Sequence, residues 1–540
     1  MRRFGTQGPV HPDRNYIVTR TEEIDDFIRR IQDGRYIVVF APRQTGKTTF
    51  FLRALEVLAN PESIYLTIQL NFEEYHNSHQ SIFYTHLLQD IYDEIEKALQ
   101  LRNERISNSL QTYIDDADLT EHISMRRFFM GLEKIIRKEY NIERIILIID
   151  EFDGIPEEAV TGFLHSLRRI YLSDSTERCP HSVGIVGVKN ITQLNFDRSI
   201  SPFNVQDEFY LPNFNIEQVR ELLLQYTHEV GQQFDPMVIE SIHKQTAGQP
   251  FLVNRIAQIL TEELEISKTE TISIEHFLKA HSQILHESNT NIEHLTSNVR
   301  KNPKFESILM KIMASDDSVP FNLRDELISE LSTYGVIRRS TDGMCEIANP
   351  IYLYTILQTF KPTVNGLEQQ YLPEDTNNGF LDYLTSDGNI QMMRLLDNFR
   401  DFIARAGYKI LEVPDTPQES VGRHLLLSYL EQFVKLVGGF MHIEVQTGRG
   451  RLDLLITHNQ RKYIVETKVW RGNARYDAGK RQLASYLKTE GASEGYYVVF
   501  DHRTNPEPRS ESDVVDGYSI RSYVIPVLQH LPSNNNSLDL

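Results

Sequence analysis

The chain has 540 residues, a formal net charge of −19, and apolar and charged shares of 40% and 24%. That describes about three or four globular domains at roughly 150 residues each and excludes a whole-surface grip on nucleic acid, so any such contact must come from a local basic patch. No apolar run approaches the roughly 20 residues of a membrane span, no apolar signal core follows the basic N-terminus, and the two cysteines, Cys179 and Cys345, predict a reducing cytoplasmic setting rather than a disulfide framework.

Residues 1–15 read as a tail. Val18-Thr-Arg-Thr-Glu22 leads a helix over Glu23–Ile31, and Thr21 ahead of acids such as Asp25 fits N-terminal capping chemistry. Tyr36–Phe40 predicts a buried strand. It opens into Ala41-Pro-Arg-Gln-Thr-Gly-Lys-Thr-Thr49 and a helix through Leu58. Strand, tight loop and helix is the setting of a phosphate-binding loop. Pro42, Arg43, Gln44, Thr45, Gly46 and Thr49 would wrap the phosphates of ATP, with the helix dipole behind them. Lys47 would reach the β- and γ-phosphates, and the Thr48 hydroxyl would bind Mg²⁺. Ala41 stands where the motif carries its first glycine, which is tolerable if its φ stays below zero.

Ile64–Leu70 predicts a second strand, Ser81–Leu101 a core-packing helix, Asp115–Thr120 an acidic loop and Met125–Tyr140 another helix. Arg144-Ile-Ile-Leu-Ile-Ile-Asp-Glu-Phe-Asp153 is a continuous apolar run ending in acids. A central parallel strand needs such a run because helices cover both its faces. Asp150 and Glu151 then lie at the strand's C-terminal end, where open α/β sheets bind ligands. Asp150 suits the Mg²⁺ shell and Glu151 suits orienting the attacking water. Phe163–Tyr171 predicts a helix and Val183–Val188 a strand. Ile216–Tyr226 and Phe251–Leu264 follow as helices, the second opened by Thr246-Ala-Gly-Gln-Pro250.

Together these motifs resemble the prokaryotic AAA-like, STAND-related ATPases. The resemblance rests on the phosphate loop, the Ile-Ile-Asp-Glu strand, Ser201-Pro-Phe-Asn204 and the Gly-x-Pro at Gly248–Pro250. It implies that Pro250 lies near the adenine; a proline in the first turn of a helix is also simply good helix chemistry, and both can hold. It makes Asn190 a sensor of the γ-phosphate, beside the reading as a turn asparagine. Val18–Glu22 becomes a partial copy of the family's hydrophobic-Gly-Arg-Glu box, an alternative to plain capping. Arg168, Arg169 and Arg198 are arginine-finger candidates, and the sequence does not choose among them.

Lys301–Thr359 reads as three helices and a hairpin turning at Asp342-Gly343, which resembles a winged helix-turn-helix. Its last helix, Asn322–Tyr334, carries Asp325, Glu326 and Glu330 against Arg324, a charge that phosphates repel. The module therefore reads as an interaction and switch element rather than a DNA reader. Residues 361–387 read as a linker and 532–540 as a disordered tail.

Between linker and tail, Asn389–Ala406 and Glu419–Val437 predict helices. Phe440–Val445, Arg451–Thr457 and Lys462–Trp470 predict strands. A two-residue turn at Asn459-Gln460 pairs residues whose numbers sum to 919, which sets Asp453 opposite Glu466. Period-two alternation puts Glu466 and Lys468 on one face. Two carboxylates and a lysine at one point make a Mg²⁺ site with an electrophilic neighbour. From Arg449 to Arg481 there are nine Lys/Arg against three Asp/Glu, a local patch on which a DNA backbone could lie. Asp453 … Glu466-Thr-Lys468 resembles the PD-(D/E)XK nuclease superfamily, and Gly448-Arg-Gly-Arg-Leu-Asp453 the version fused to bacterial AAA-like ATPases. That resemblance adds Glu419 as a helical acid and places Gln482 and Tyr486 on the following helix.

The predicted architecture is α/β: a P-loop ATPase core (1–215), a helical lid (216–290), a winged-helix-like module (300–360), the linker (361–387) and a restriction-endonuclease-like domain (388–531). The resemblances imply an ATP-regulated, Mg²⁺-dependent DNA nuclease, homo-oligomeric, of the kind found in bacterial defence or mobile elements. The alternative is a nucleotide-dependent switch whose C-terminal domain binds nucleic acid or a partner without cutting.

Overall fold

The computed structural model describes residues 2–42, 44–60, 62–174, 178–187, 206–287, 289–300, 319–359, 383–406, 418–447, 450–503 and 506–526, with single positions between 302 and 312. The chain forms two compact units: Met1–His243 with Ala247–Ile274 and Thr333–Gly335, and Lys244–Thr246 with Glu275–Ser332 and Val336–Leu540.

In the first unit five strands, β1 (Tyr36–Phe40), β2 (Tyr65–Asn71), β3 (Arg144–Asp150), β4 (Ser182–Gly187) and β5 (Gln206–Tyr210), form one sheet in the order β2-β3-β4-β1-β5. Every pairing is parallel. Helices α1 (Thr21–Gln32), α2 (Lys47–Leu58), α3 (Gln80–Leu101), α4 (Asn108–Asp115), α5 (His122–Tyr140) and α6 (Glu157–Tyr171) connect and cover it. The apolar run of β3 serves two cores. Ile145, Leu147 and Ile149 pack with residues of α3, α5 and α6, while Ile146 and Ile148 pack with residues of α1 and α2. A strand buried on both faces needs apolar residues at every position.

β5 carries Gln206, Asp207 and Glu208 and, among the described residues, pairs with β1 alone. As an edge strand it tolerates these polar residues, and no element is predicted for it from the sequence. The capping reading of Thr21 is corrected: Thr21 is already the first helical residue, and Arg20 occupies the N-cap in a left-handed conformation (φ 48°) with no side-chain cap. Arg20 is buried instead, donating from Nη1 to the Pro212 carbonyl at 2.8 Å and lying over the Phe214 ring. That burial holds the backbone out of the capping geometry.

Beyond β5 come α7 (Ile216–Val230), α8 (Pro236–Thr246) and α9 (Pro250–Gln258), the last running into a π turn over Ile259–Glu263. Asn215 caps α7 and bonds reciprocally with Gln218.

In the second unit, α10 (Ile274–His286), α11 (Thr290–Arg300) and α12 (Glu326–Thr333) precede a hairpin of β6 (Ile337–Arg339) and β7 (Cys345–Ile347), with Gly343 at φ 85° in its turn. The acidic helix is shorter than predicted: Asn322 and Asp325 spend their side chains on backbone N–H groups of Arg324, Leu327 and Ile328, which makes them turn and cap. Helices α13 (Pro350–Thr359), α14 (Met392–Ala406) and α15 (Gln418–Leu436) follow. A six-stranded sheet is ordered β12-β13-β11-β10-β9-β8, from β8 (Phe440–Thr447), β9 (Gly450–His458), β10 (Arg461–Val469), β11 (Glu494–Asp501), β12 (Arg509–Val515) and β13 (Tyr518–Pro526). α16 (Asn473–Glu490) lays Leu483, Ala484 and Leu487 on Ile464, Tyr497 and Val499 of this sheet.

Asn459 and Gln460 both take positive φ, 46° and 60°, as a two-residue hairpin turn requires. The β9–β10 register runs from Arg461 opposite His458 to Val465 opposite Leu454. No described helix is long and apolar enough to cross a membrane.

Candidate functional site

Two sites take shape, one in each unit. In the first, Ala41 keeps φ negative, and the left-handed positions of the loop fall on Gln44 (φ 59°) and Gly46 (φ 82°). The Thr45 hydroxyl donates to the Pro42 carbonyl at 2.7 Å and closes the loop. Gly46 is the N-cap of α2 and supplies no side-chain cap, so the helix's first N–H groups stay directed toward the loop. Lys47 donates to the Ala41 and Pro42 carbonyls at 3.0 and 3.3 Å. Thr49 accepts from the Val10 N–H at 3.3 Å, which ties the N-terminal segment to α2.

β4 separates β1 from β3, yet the two motifs meet at the sheet's C-terminal edge. The Thr48 hydroxyl donates to Asp150 Oδ2 at 3.0 Å, and Asp150 Oδ1 accepts the Glu151 N–H at 3.0 Å. Burial pushes the Asp150 carboxyl up, while Thr48, the Glu151 N–H and the Lys47 charge oppose it. A hydroxyl and a carboxylate oxygen so close form a hard-oxygen pair that fits Mg²⁺. Glu151 sits at φ 48°, a strained position for a side chain of its kind.

The Gly-x-Pro turn meets this loop through its middle residue. Gln249 caps α9 by accepting the Leu252 N–H at 2.7 Å and donates from Nε2 to the Gln44 carbonyl at 3.2 Å. Pro250 is the first residue of α9 and is buried. Gly248 has φ 69°, and a Cβ there would lie 1.8 Å from the Phe214 carbonyl oxygen.

In the second unit Asp453, on β9, and Glu466, on β10, are both buried, Glu466 completely. Asp453 Oδ2 accepts from the Thr467 N–H and hydroxyl, each at 2.8 Å. Lys468 Nζ lies 2.8 Å from Glu466 Oε1 and 4.0 Å from Asp453 Oδ2. Arg423, on α15, brings Nη2 to 3.5 Å from Asp453 Oδ1. Burial would raise the Asp453 carboxyl, but Arg423, Lys468 and the Thr467 hydrogen bonds together hold it below the usual range. Burial and the Asp453 charge push Glu466 up to about 7 against the pull of Lys468. Burial also works against the Lys468 charge, yet the two carboxylates keep its ammonium above the ordinary range. Two adjacent carboxylates, one firmly ionised, fit a divalent cation. Among the described residues no group of three or more acidic, His or Cys side chains forms a metal cluster.

Not every predicted residue joins these sites. Gln482 is exposed and donates to the Tyr486 hydroxyl at 2.7 Å rather than to a carboxylate of the cluster. Arg43, Asn190, Arg198, Ser201–Asn204, Gly448, Arg449, residues 361–382 and 532–540, and the side chain of Glu419 lie outside the described residues. The basic patch is smaller than the count implied. Lys480 is buried against Glu511 and Asp513, Lys462 pairs with Glu490 at 3.0 Å, and Lys468 belongs to the carboxylate cluster. Arg461, Arg471, Arg475 and Arg481 remain exposed.

Residues 6–355 match the family model described as an AAA-like domain. The chain belongs to the AAA-like domain family. The first unit of this AAA-like protein is an α/β P-loop core on a parallel sheet, and its function is of the nucleotide-binding, ATPase type. Residues 390–504 match a second model, a domain of unknown function (DUF8371). No curated protein matches the chain. Similar solved structures include the Walker-type ATPase of Pyrococcus abyssi, at 14% identity over 65% of this chain and 99% of that one, with TM-score 0.45. The Orc1 protein of Aeropyrum pernix, solved in complex with DNA, shares 16% identity over 63% of this chain and 93% of that one, at 0.30. The RuvB Holliday junction branch migration motor of Thermotoga maritima shares 13% over 61% and 91%, at 0.31.

Sequence reasoning about this AAA-like chain missed Gln249, Thr467 and Arg423. Gln249 is the unassigned residue of Gly-x-Pro, and glutamine is not among the residues preferred at a helix N-cap, so no local rule marks it. Thr467 stands between Glu466 and Lys468 on the opposite strand face, yet its backbone N–H and hydroxyl both reach Asp453. Arg423 has no local signal, because its partner lies 30 residues later.

Proposed function

We propose that this protein binds and hydrolyses ATP and that nucleotide turnover regulates a Mg²⁺-dependent DNA nuclease site at Asp453, Glu466 and Lys468. The observation that carries the nuclease reading is the convergence of two buried carboxylates and a lysine on adjacent strands, with Lys468 Nζ at 2.8 and 4.0 Å from them. Thr48 and Asp150 at one site, and Asp453 and Glu466 at the other, would hold Mg²⁺, which when bound would neutralise phosphate charge and, at the second site, make water more acidic. Lys47 neutralises charge on the β- and γ-phosphates, and the loop and α2 N–H groups orient them. Glu151 orients the attacking water. Lys468 stabilises the negative charge that develops on a scissile phosphodiester. The exposed Arg461, Arg471, Arg475 and Arg481 guide a nucleic-acid backbone.

In this reading residues 1–215 are the ATPase core, 216–290 its lid, 300–360 a winged-helix-like switch module, 361–387 a linker and 388–531 a PD-(D/E)XK-type domain. The protein works in the cytoplasm as a nucleotide-dependent homo-oligomer, in which an arginine of a neighbouring subunit completes the ATP site, within a STAND-like defence or mobile-element system. The γ-phosphate is the differential contact that shifts the assembly. The deciding experiment is supercoiled-plasmid cleavage with Mg²⁺ or EDTA, with and without ATP, alongside mass photometry in ATP, ADP and no nucleotide. Mg²⁺-dependent nicking that changes with nucleotide is expected. No cleavage under any condition, with DNA binding retained, would instead assign a nucleotide-dependent binding switch.

A further inference from the structure

The carboxylate pair is served by groups from two different parts of the chain. β10 supplies three of them: the Thr467 N–H and hydroxyl on Asp453 Oδ2, and the Lys468 ammonium on Glu466 Oε1. The Asp453 N–H faces Glu466 Oε2 at 3.4 Å. Asp453 Oδ1 is served from α15, by Arg423 Nη2 at 3.5 Å. Both side chains of that ion pair are about nine-tenths buried, at 11% and 10% exposure.

The distance is longer than the 2.7–2.9 Å of a tight charged hydrogen bond. Arg423 is thus held to Asp453 by charge more than by directional bonding. Its position is set by a close approach of backbone to ring. Gly422, the residue before it, lies so near Phe500 of β11 that a Cβ there would be 2.8 Å from the ring. A larger residue at 422 would lift this turn of α15 off the sheet and carry Arg423 with it.

We infer that Arg423 is the internal counter-cation of the Asp453 carboxylate, and that its guanidinium competes with a divalent cation for Asp453 Oδ1. This rests on reading Asp453 and Glu466 as a divalent-cation pair. Lys468 and Arg423 both face the two carboxylates, so cations of the chain itself already offset negative charge where a divalent ion would bind. A divalent ion entering between the carboxylates must share Asp453 with the guanidinium or displace it. Lys468, fixed to Glu466 at 2.8 Å, keeps its place on the same strand. Arg423 belongs to another element and is the group that can yield. Occupancy of the pair is thereby linked to α15, and Arg423 acts as a positioning residue that sets how much divalent cation the site needs.

The test is calorimetric titration of the full-length protein with Mn²⁺, comparing wild type, Arg423→Gln, Arg423→Lys and Asp453→Asn. Removing the competing charge should tighten Mn²⁺ binding about tenfold, the size of effect one charge at this distance has on proton binding. Arg423→Lys should stay within a few-fold of wild type. A residue that only braced the site would loosen the metal when removed, so equal or weaker binding by Arg423→Gln overturns the inference. Asp453→Asn binding Mn²⁺ like wild type would instead overturn the divalent-pair reading beneath it. Should Arg423→Gln fail to fold, hydrogen exchange on the wild type decides: Mn²⁺ should speed exchange in α15 around residue 423 while slowing it in β9 and β10, and unchanged exchange in α15 refutes the competition.

Discussion

The Thr48 hydroxyl and the Asp150 carboxylate meet at 3.0 Å across 102 residues of chain. The contact joins the start of the α2 helix to the end of a strand two places away in the sheet. It gathers two hard oxygens at the mouth of the phosphate loop, with Lys47 and Glu151 beside them in sequence.

Lys47→Ala should weaken ATP binding at least about 100-fold, the loss expected when charge-assisted hydrogen bonds to two phosphates disappear. Glu151→Gln should keep ATP and slow hydrolysis by about 10²- to 10⁴-fold, the range of a lost general base. Calorimetry with ATP and a phosphate-release assay separate the two. Equal ATP affinity in wild type and Lys47→Ala would remove the phosphate loop from the nucleotide site.

Asp453→Ala, Glu466→Ala and Lys468→Ala should each lower Mg²⁺-dependent plasmid cleavage about 100-fold or more. ATP hydrolysis should continue in all three. Wild-type cutting by Asp453→Ala would place the cleavage elsewhere.

Divalent-cation affinity at the same pair should depend on pH. Glu466 is pushed up to about 7 by burial and by Asp453. Below that value a proton occupies the carboxylate and competes with the metal. Mn²⁺ affinity should therefore rise about tenfold per pH unit up to pH 7 and level off above it. A flat profile between pH 5.5 and 8 would contradict a metal-ligating Glu466 whose carboxyl is raised to about 7.

Gly248→Ala should destabilise the first unit by about 2–4 kcal/mol. Left-handed backbone costs an ordinary residue about 1–2 kcal/mol, and the new Cβ would lie 1.8 Å from the Phe214 carbonyl oxygen, adding overpacking strain. The Gln249–Gln44 contact should loosen with it. Thermal unfolding and ATP affinity read the two effects, and an unchanged melting temperature contradicts the geometry.

His442, buried on β8 against the His281 ring, is held down to about 4 by burial. The unfolded chain takes up this proton from about pH 6.5 downward, whereas the folded protein resists until about pH 4. Stability from the neutral ring is complete above pH 6.5 and is lost as pH falls toward 4, by at most about 3 kcal/mol. Denaturant titrations at pH 7 and pH 5 should show wild type losing more stability than His442→Gln. Equal losses would mean that His442 protonates freely in the folded state.

The amino-acid order alone determined the features set by local rules. The phosphate loop follows from strand, turn and helix within a few residues of Lys47. The apolar run of Ile145–Ile149 announced a strand buried on both faces. Asn459-Gln460 set the β9–β10 register, because a two-residue turn leaves one pairing, and that pairing carried Asp453 to Glu466. Such features depend on dihedral preferences and on periods of two or 3.6, which act over short stretches. What tertiary structure decided involves partners far apart in sequence. Arg20 gives up a cap for the Pro212 carbonyl, Gln249 reaches Gln44, and Arg423 reaches Asp453 from a separate helix. Lys480, counted as part of a basic patch, is neutralised by Glu511 and Asp513 on a strand that follows it by some thirty residues. A charge counted along the chain says nothing of which opposite charge the fold will set against it, since that depends on how strands and helices stack rather than on any neighbour in sequence.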